Sequence, residues 1–305
     1  MNASIPASDP KREQRVNALL ENERIRLLMA REGLEEADVK ERPDLFEAAD
    51  KALKGCEGCA GLDFCVQPFR GLIESVRRDE EGFLDRRNQK CHYLAEHQKN
   101  TAHARNFTST HMSGKDYMVN FNQLKSGLAS ESKEYVQAFA QAVSSHAQDS
   151  GLFIYGQPGT GKSTLLMALA NWDAREGKSV AYVRVPRLIS DLKAMMGERE
   201  ENTRMLFDLR RADVLYLDDF GSEMVTRWSR DEILFPLLEE RMAQNKKTYF
   251  ASNMSQKELE TLYLLDGAVR DTVASKRLMD RVIALSREVT LRGGSRRHQP
   301  GLDKR

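Results

Sequence analysis

The sequence predicts an α/β protein, a parallel sheet between helices, preceded by a small helical module that carries every cysteine. Three observations predict it. From about Asn120 onward, short apolar runs alternate with segments of helical period, the pattern of a parallel sheet covered on both faces. One of these runs, Leu152–Tyr155, leads straight into Gly156-Gln157-Pro158-Gly159-Thr160-Gly161-Lys162-Ser163, a G-x-x-x-x-G-K-S loop followed by an apolar helix. Cys56, Cys59, Cys65 and Cys91, the only four cysteines, fall in the first third of the 305 residues. At roughly 100–200 residues per domain, two domains are expected.

The elements follow in order. Residues Lys11–Leu53 read as helix, with Val16, Leu19, Leu20, Leu27 and Leu28 at helical spacing. Pro43 breaks that pattern, and Asp44 is placed to cap a second helix through Leu45, Phe46, Ala49 and Leu53. The cysteine segment, Gly55–Tyr93, has no period. His97–Val119 is polar and reads as a linker, which divides the chain into regions 1–96, 97–119 and 120–305. A helix over Glu134–Ala147 precedes the strand Leu152–Tyr155. Then come a strand at Val180–Val185, helices from Leu188 to Leu209 and a strand at Val214–Leu217. The helix Ile233–Met242, the strand Thr248–Ser252, two further helices and a basic end complete the chain.

Composition narrows the functional classes. Lys and Arg total 47 against 46 Asp and Glu, a net charge of +1, with 40% hydrophobic residues. That excludes a generally basic nucleic-acid coat and wholesale disorder. The average hides a gradient: the last 25 residues carry +5 and the rest −4. Such an end, with Arg287, Arg292, Arg296, Arg297, Lys304 and Arg305, can neutralise backbone phosphates, or serve only as a soluble tail. Tyr155, Tyr182 and Phe250 lie on strands and read as core rather than as base-stacking platforms. No run approaches the ~18–20 apolar residues of a membrane span, and the first residues lack the apolar stretch of a secretory signal. The expectation is a cytoplasmic protein with no membrane partner.

The loop's chemistry follows from its residues. Gly156, Gly159 and Gly161 let successive N–H groups face phosphate oxygens, and the helix N-terminus adds a favourable dipole. Lys162 reaches the β- and γ-phosphates of ATP, Ser163 ligates Mg²⁺, and Thr164 is counted with Gly156–Ser163 among the nucleotide-binding residues. A second strand ends in Asp218-Asp219. Asp218 is placed to hold the Mg²⁺ shell, and Asp219 to orient or deprotonate the attacking water. Asp is a methylene shorter than Glu, so hydrolysis is expected to be slow. Asn253 ends the strand Thr248–Ser252, where it could sit by the γ-phosphate or merely make a turn. Arg277 and Arg281 share a helix face, which suits either phosphate contact or a solvated basic surface.

The cysteines read C-x₂-C-x₅-C-x₂₅-C. In a reducing compartment this spacing suits tetrahedral Zn²⁺, with His92 able to replace one thiolate. Four reduced core cysteines are the alternative. A redox C-x-x-C fits less well, because no thioredoxin-like βαβ pattern surrounds it.

With the loop GQPGTGKS, LYLDDFGSE (Leu215–Glu223), TRWSRDEIL (Thr226–Leu234), TYFASN, KRLMDRV and LRGGSRR, the chain resembles the AAA+ ATPases. More narrowly it resembles the bacterial helicase loaders of the DnaI type, from about Gly151 to its end and in its cysteine pattern. The resemblance implies an ATPase, with Mg²⁺, that binds a hexameric replicative helicase through its zinc-binding N-terminal domain. It also implies delivery of that helicase to single-stranded DNA through the ATPase domain. It assigns Asn253 to sensing the γ-phosphate and Arg281 to the arginine finger, with Arg277 the alternative, which requires self-association through the ATPase domain. With 24 residues after Arg281, the helical lid of many relatives is expected to be absent or vestigial. Two rivals share parts of this pattern: a transposition-helper ATPase of the IstB type, and a non-enzymatic, nucleotide-regulated adaptor.

Overall fold

The computed structural model describes residues 9–195, 199–266 and 268–293, which form two compact units divided between Asn100 and Thr101. The N-terminal unit begins with four short helices, α1 (Pro10–Glu21), α2 (Glu23–Glu32), α3 (Glu36–Glu41) and α4 (Pro43–Lys54). The expected long helix is therefore interrupted. Asn22 caps α2 by accepting from the Arg24 N–H, and Gly33 ends it in the left-handed region at φ 64°. Pro43 occupies the first position of α4, which makes Arg42 and not Asp44 the cap. Val16, Leu19, Ile25, Leu28, Phe46 and Ala49 join the core, whereas Leu27, counted in the apolar stripe, is 65% exposed.

The sequence reads this unit as helical, but it is not wholly so. After the cysteine loops, β1 (Leu72–Arg78) and β2 (Leu84–Lys90) form an antiparallel hairpin, followed by α5 (His92–Thr101). The charge-rich β2 exposes most of its residues, so it carries no apolar alternation by which a strand could be read.

The C-terminal unit is built on six parallel strands in the order β3-β5-β6-β7-β4-β8. In chain order these are β3 (Phe107–Thr110), β4 (Gly151–Tyr155), β5 (Val180–Arg184), β6 (Val214–Asp218), β7 (Lys247–Ser252) and β8 (Ser286–Thr290). Successive residues of each strand face opposite layers. Leu152, Ile154, Tyr182, Tyr216 and Tyr249 pack under α6 (Phe121–Ser126), α7 (Lys133–Ser145) and α8 (Lys162–Arg175). Phe153, Val183, Leu217 and Phe250 pack on the other face. The helices of that face are α9 (Val185–Ala194), α10 (Arg199–Arg211), α11 (Phe235–Ala243), α12 (Gln256–Leu262) and α13 (Val269–Leu285). The predicted helical stretch 188–209 is thus two helices, and α13 is followed by a strand that the sequence did not announce.

The stretch 97–119, read as a linker, supplies the end of α5 and the edge strand β3. Buried His103 lies 3.1 Å from the Asn171 amide oxygen, and the Asn171 amide donates to the carbonyls of Asp116 and Val119, each at 2.8 Å. Phe107, Met112 and Val119 pack on the core. An edge strand needs few apolar residues, which is why this segment looks like a tether. Among the described residues no helix is long and apolar enough to cross a membrane.

Candidate nucleotide site and cysteine cavity

The loop between β4 and α8 has the geometry its glycines require. Gly161 takes φ 99°, a left-handed conformation that turns the chain into α8. A Cβ on Gly156 would meet the Leu291 carbonyl oxygen at 2.0 Å, so only glycine permits β8 to close against the loop. Lys162, 6% exposed, folds back and donates to the carbonyls of Gly156 (2.8 Å) and Gln157 (2.9 Å), while the Thr160 hydroxyl donates to Gln157 O (2.9 Å). Gly156 through Gly161 thus form the turn between β4 and α8, and Lys162, Ser163 and Thr164 open the helix.

β7 lies between β4 and β6, so the three strand ends converge. Across them the Ser163 hydroxyl donates to Asp218 Oδ1 at 2.9 Å. Asp218 is 1% exposed, and burial together with the neighbouring Asp219 charge pushes its carboxyl up. Hydrogen bonds from Tyr182 and Ser163 oppose that rise. The Asp219 N–H donates to the same Asp218 oxygen at 3.1 Å, and Asp219 itself has φ 55°. Asp tolerates this left-handed backbone better than Glu, a local reason for the shorter acid here.

Asn253 is exposed and lines a cavity of about 410 Å³ with Tyr155, Gly156, Gln157 and Arg292. It is therefore brought to the foot of the loop. Arg277 and Arg281 both stack on Phe235 of α11, at 4.5 and 5.2 Å from the ring centroid, and Arg281 also pairs with Glu239. These α13 residues therefore pack against α11 of their own chain. Of the basic end, Arg287 and Arg292 are exposed, while Arg296, Arg297, Lys304 and Arg305 lie outside the described residues.

Sequence reasoning missed a set of buried polar groups around this site. Tyr182, read simply as core, donates from its hydroxyl to Asp218 Oδ2 at 2.8 Å. Arg230, 2% exposed inside a π-helical turn (Trp228–Leu234), donates to Asp271 at 2.6 Å and to Tyr263 O at 2.7 Å. Tyr263 in turn donates to Glu223 at 2.5 Å, which accepts from the Gly221 N–H. The segment after Asp219 is thereby joined to the first turn of α13. A buried tyrosine hydroxyl must find a partner, which was the available signal for Tyr182.

In the N-terminal unit the four cysteines form no disulfide and line one cavity of about 70 Å³ together with His92. Sulfur atoms accept from the Gly71 N–H (Cys65, 3.2 Å), the Leu94 N–H (Cys91, 3.4 Å) and the Gln67 amide (Cys56, 3.2 Å). The Gly71 and Gln67 backbone donors pull the Cys65 thiol down. Among the described residues, the group whose ligand atoms come within 4.8 Å of one another is His146, Asp173 and Glu176, not the cysteines. Lys178 already supplies a cation there, 2.7 Å from Asp173 and 3.2 Å from Glu176.

A phosphate loop on one strand of a parallel sheet, with an Asp-ended strand two places away, defines an ATP-binding α/β core of the P-loop class. The chain belongs to the family of IstB-like ATP binding proteins, whose model matches residues 86–303. It is similar to the replicative helicase loader DnaI of Bacillus subtilis (strain 168), with 34% identity over 168 residues, 54% of this chain and 53% of the relative. It is also similar to the replicative helicase loader DnaC of Buchnera aphidicola subsp. Acyrthosiphon pisum (strain APS), with 30% identity over 134 residues, 43% of this chain and 51% of the relative. The crystal structure of the DnaI shares 26% identity and a TM-score of 0.54 over 62% of this chain and 98% of that one. The chain spans about half the length of the curated relatives it matches.

Proposed function

We propose that this protein is an ATP-dependent loader that engages a hexameric replicative helicase and delivers it to single-stranded DNA. The observation that carries the ATPase part is the 2.9 Å contact of Ser163 with Asp218 at the foot of the loop. A hydroxyl and a carboxylate so paired fit the hard oxygen shell of Mg²⁺, which would neutralise phosphate charge when bound. Lys162 and the backbone N–H groups of residues 159–164 bind the phosphates, with Gly156, Gln157 and Pro158 shaping the entry to the loop. Asp219 orients the water, and Asn253 senses the γ-phosphate from its cavity beside Gly156. Arg281, held ready on Phe235 and Glu239, acts on the nucleotide of a neighbouring copy.

The N-terminal unit is assigned to zinc and to the helicase. Between residues 55 and 70 no residue is buried, while Phe64, Val66 and Phe69 are 70%, 72% and 65% exposed. A segment without apolar core that gathers four cysteines on one cavity, three of them accepting hydrogen bonds at sulfur, fits a structural Zn²⁺ site. Its exposed aromatic residues suit protein docking. The DNA contact is assigned to the C-terminal unit, with Arg287 and Arg292 among its exposed cations.

The family match favours a second reading, a transposition helper of the IstB type. It leaves residues 1–85 unmatched, and these hold Cys56, Cys59 and Cys65. A loading assay comparing Lys162→Ala with Asp219→Asn tests the proposal. Loss of loading in both variants supports an ATP-driven loader. Loading that survives Asp219→Asn but not Lys162→Ala would make the protein a nucleotide-regulated adaptor instead.

A further inference from the structure

We propose that Tyr182 is a positioning residue for divalent-metal capture at the phosphate loop, an assignment that rests on the ATP–Mg²⁺ reading of this site. Tyr182, Tyr216 and Tyr249 occupy neighbouring register positions on β5, β6 and β7, so three phenol rings stand side by side under α7 and α8. Tyr216 and Tyr249 stack with centroids 4.9 Å apart and planes 1° from parallel, and Tyr182 lies 6.2 Å from Tyr216. The rings are equivalent in burial, each 0% exposed, but their hydroxyls end in different places. Tyr249 meets Ser145 at 3.1 Å, and Tyr216 donates to Asp173 near the far end of α8. Tyr182 alone of the three donates to a residue that also accepts from the loop.

That difference sets the orientation of the carboxylate. With Tyr182 on Oδ2 at 2.8 Å, Asp218 presents Oδ1 to the Ser163 hydroxyl at 2.9 Å. Oδ1 accepts from Ser163 and from the Asp219 N–H, and the Tyr182 bond is what holds Oδ2 and so fixes the plane of the carboxylate. Partners of this kind, one bond removed from the metal, typically change metal affinity 10- to 100-fold when lost.

The test is binding of a fluorescent ATP analogue to the full chain, titrated with Mg²⁺. Tyr182→Phe keeps the ring and removes only the hydroxyl. It is expected to raise the Mg²⁺ concentration at half-effect by about 10- to 100-fold, with metal-free nucleotide affinity unchanged. Tyr216→Phe, which deletes an equally buried tyrosine–aspartate bond, is expected to leave the Mg²⁺ requirement at the wild-type value. In an Asp218→Asn background, Tyr182→Phe is expected to add no further shift, a comparison that separates positioning from general loosening of the sheet. An unchanged Mg²⁺ midpoint in Tyr182→Phe, or an equal shift in Tyr216→Phe, overturns the assignment. Wild-type protein with no Mg²⁺-dependent step would overturn the underlying ATPase reading as well, so the two failures are distinguishable.

Discussion

The two units reach order by different physical routes. In the C-terminal unit the sheet holds the functional groups: Lys162 rests on two carbonyls, and Asp218 is gripped by Ser163 and Tyr182. The strands beneath them are buried on both faces. In the N-terminal unit, the helices α1 to α4 have an apolar core, but the cysteine loops that follow contribute nothing to it. What the contrast teaches is that a phosphate loop can be built by packing alone. Under the zinc proposal, a short loop with exposed phenylalanines is held by an ion instead.

The comparison breaks most visibly if the ion is removed. Cys65→Ser, or a strong chelator, is expected to cost the N-terminal segment most of a structural zinc's binding free energy, about 10–16 kcal/mol. Zinc analysis should fall from one per chain to none, and limited proteolysis should cut within residues 55–71 while ATP binding persists. A segment that stays protected without metal would show that packing suffices there too.

Next in size is Arg230→Met in the C-terminal unit. It leaves Asp271, 3% exposed, without its cation, and a loss of about 3–5 kcal/mol is expected in denaturant unfolding. A change below 1 kcal/mol would mean that the buried network carries little of the sheet's order. Lys162→Ala should lower ATP turnover by about 10²- to 10³-fold without altering zinc content. Activity near the wild-type value would remove the loop from the chemistry.

The smallest expected effect sharpens the contrast. Phe64, 70% exposed, should tolerate replacement by Ser within about 0.5 kcal/mol of wild-type stability, while retention on the helicase weakens. A large stability loss would contradict its exposure and place Phe64 in a core.

The C-terminal site was legible because its chemistry is local in sequence. Gly156 to Ser163 and Leu215 to Asp219 each announce a strand, its end and its polar residues together. The strands of the centre were legible for the same reason, being unbroken apolar runs. The edges were not. β3 and β2 are polar because solvent covers them, and β8 is only Ser-Arg-Glu-Val-Thr. The partners of Tyr182 and Arg230 were hidden because they lie 36 and 41 residues away, a separation that only the register of the sheet resolves. The cysteine spacing gave the candidate ligands, but not the hairpin that brings Cys91 back to Cys56.

Retention of the full chain on the hexameric replicative helicase, measured with and without ATP, decides whether the protein is a loader. Retention is expected in ATP and is lost in Lys162→Ala and in Cys56→Ser, one failing in each unit. No retention of the wild-type chain under either condition would contradict it and return the protein to the transposition-helper reading.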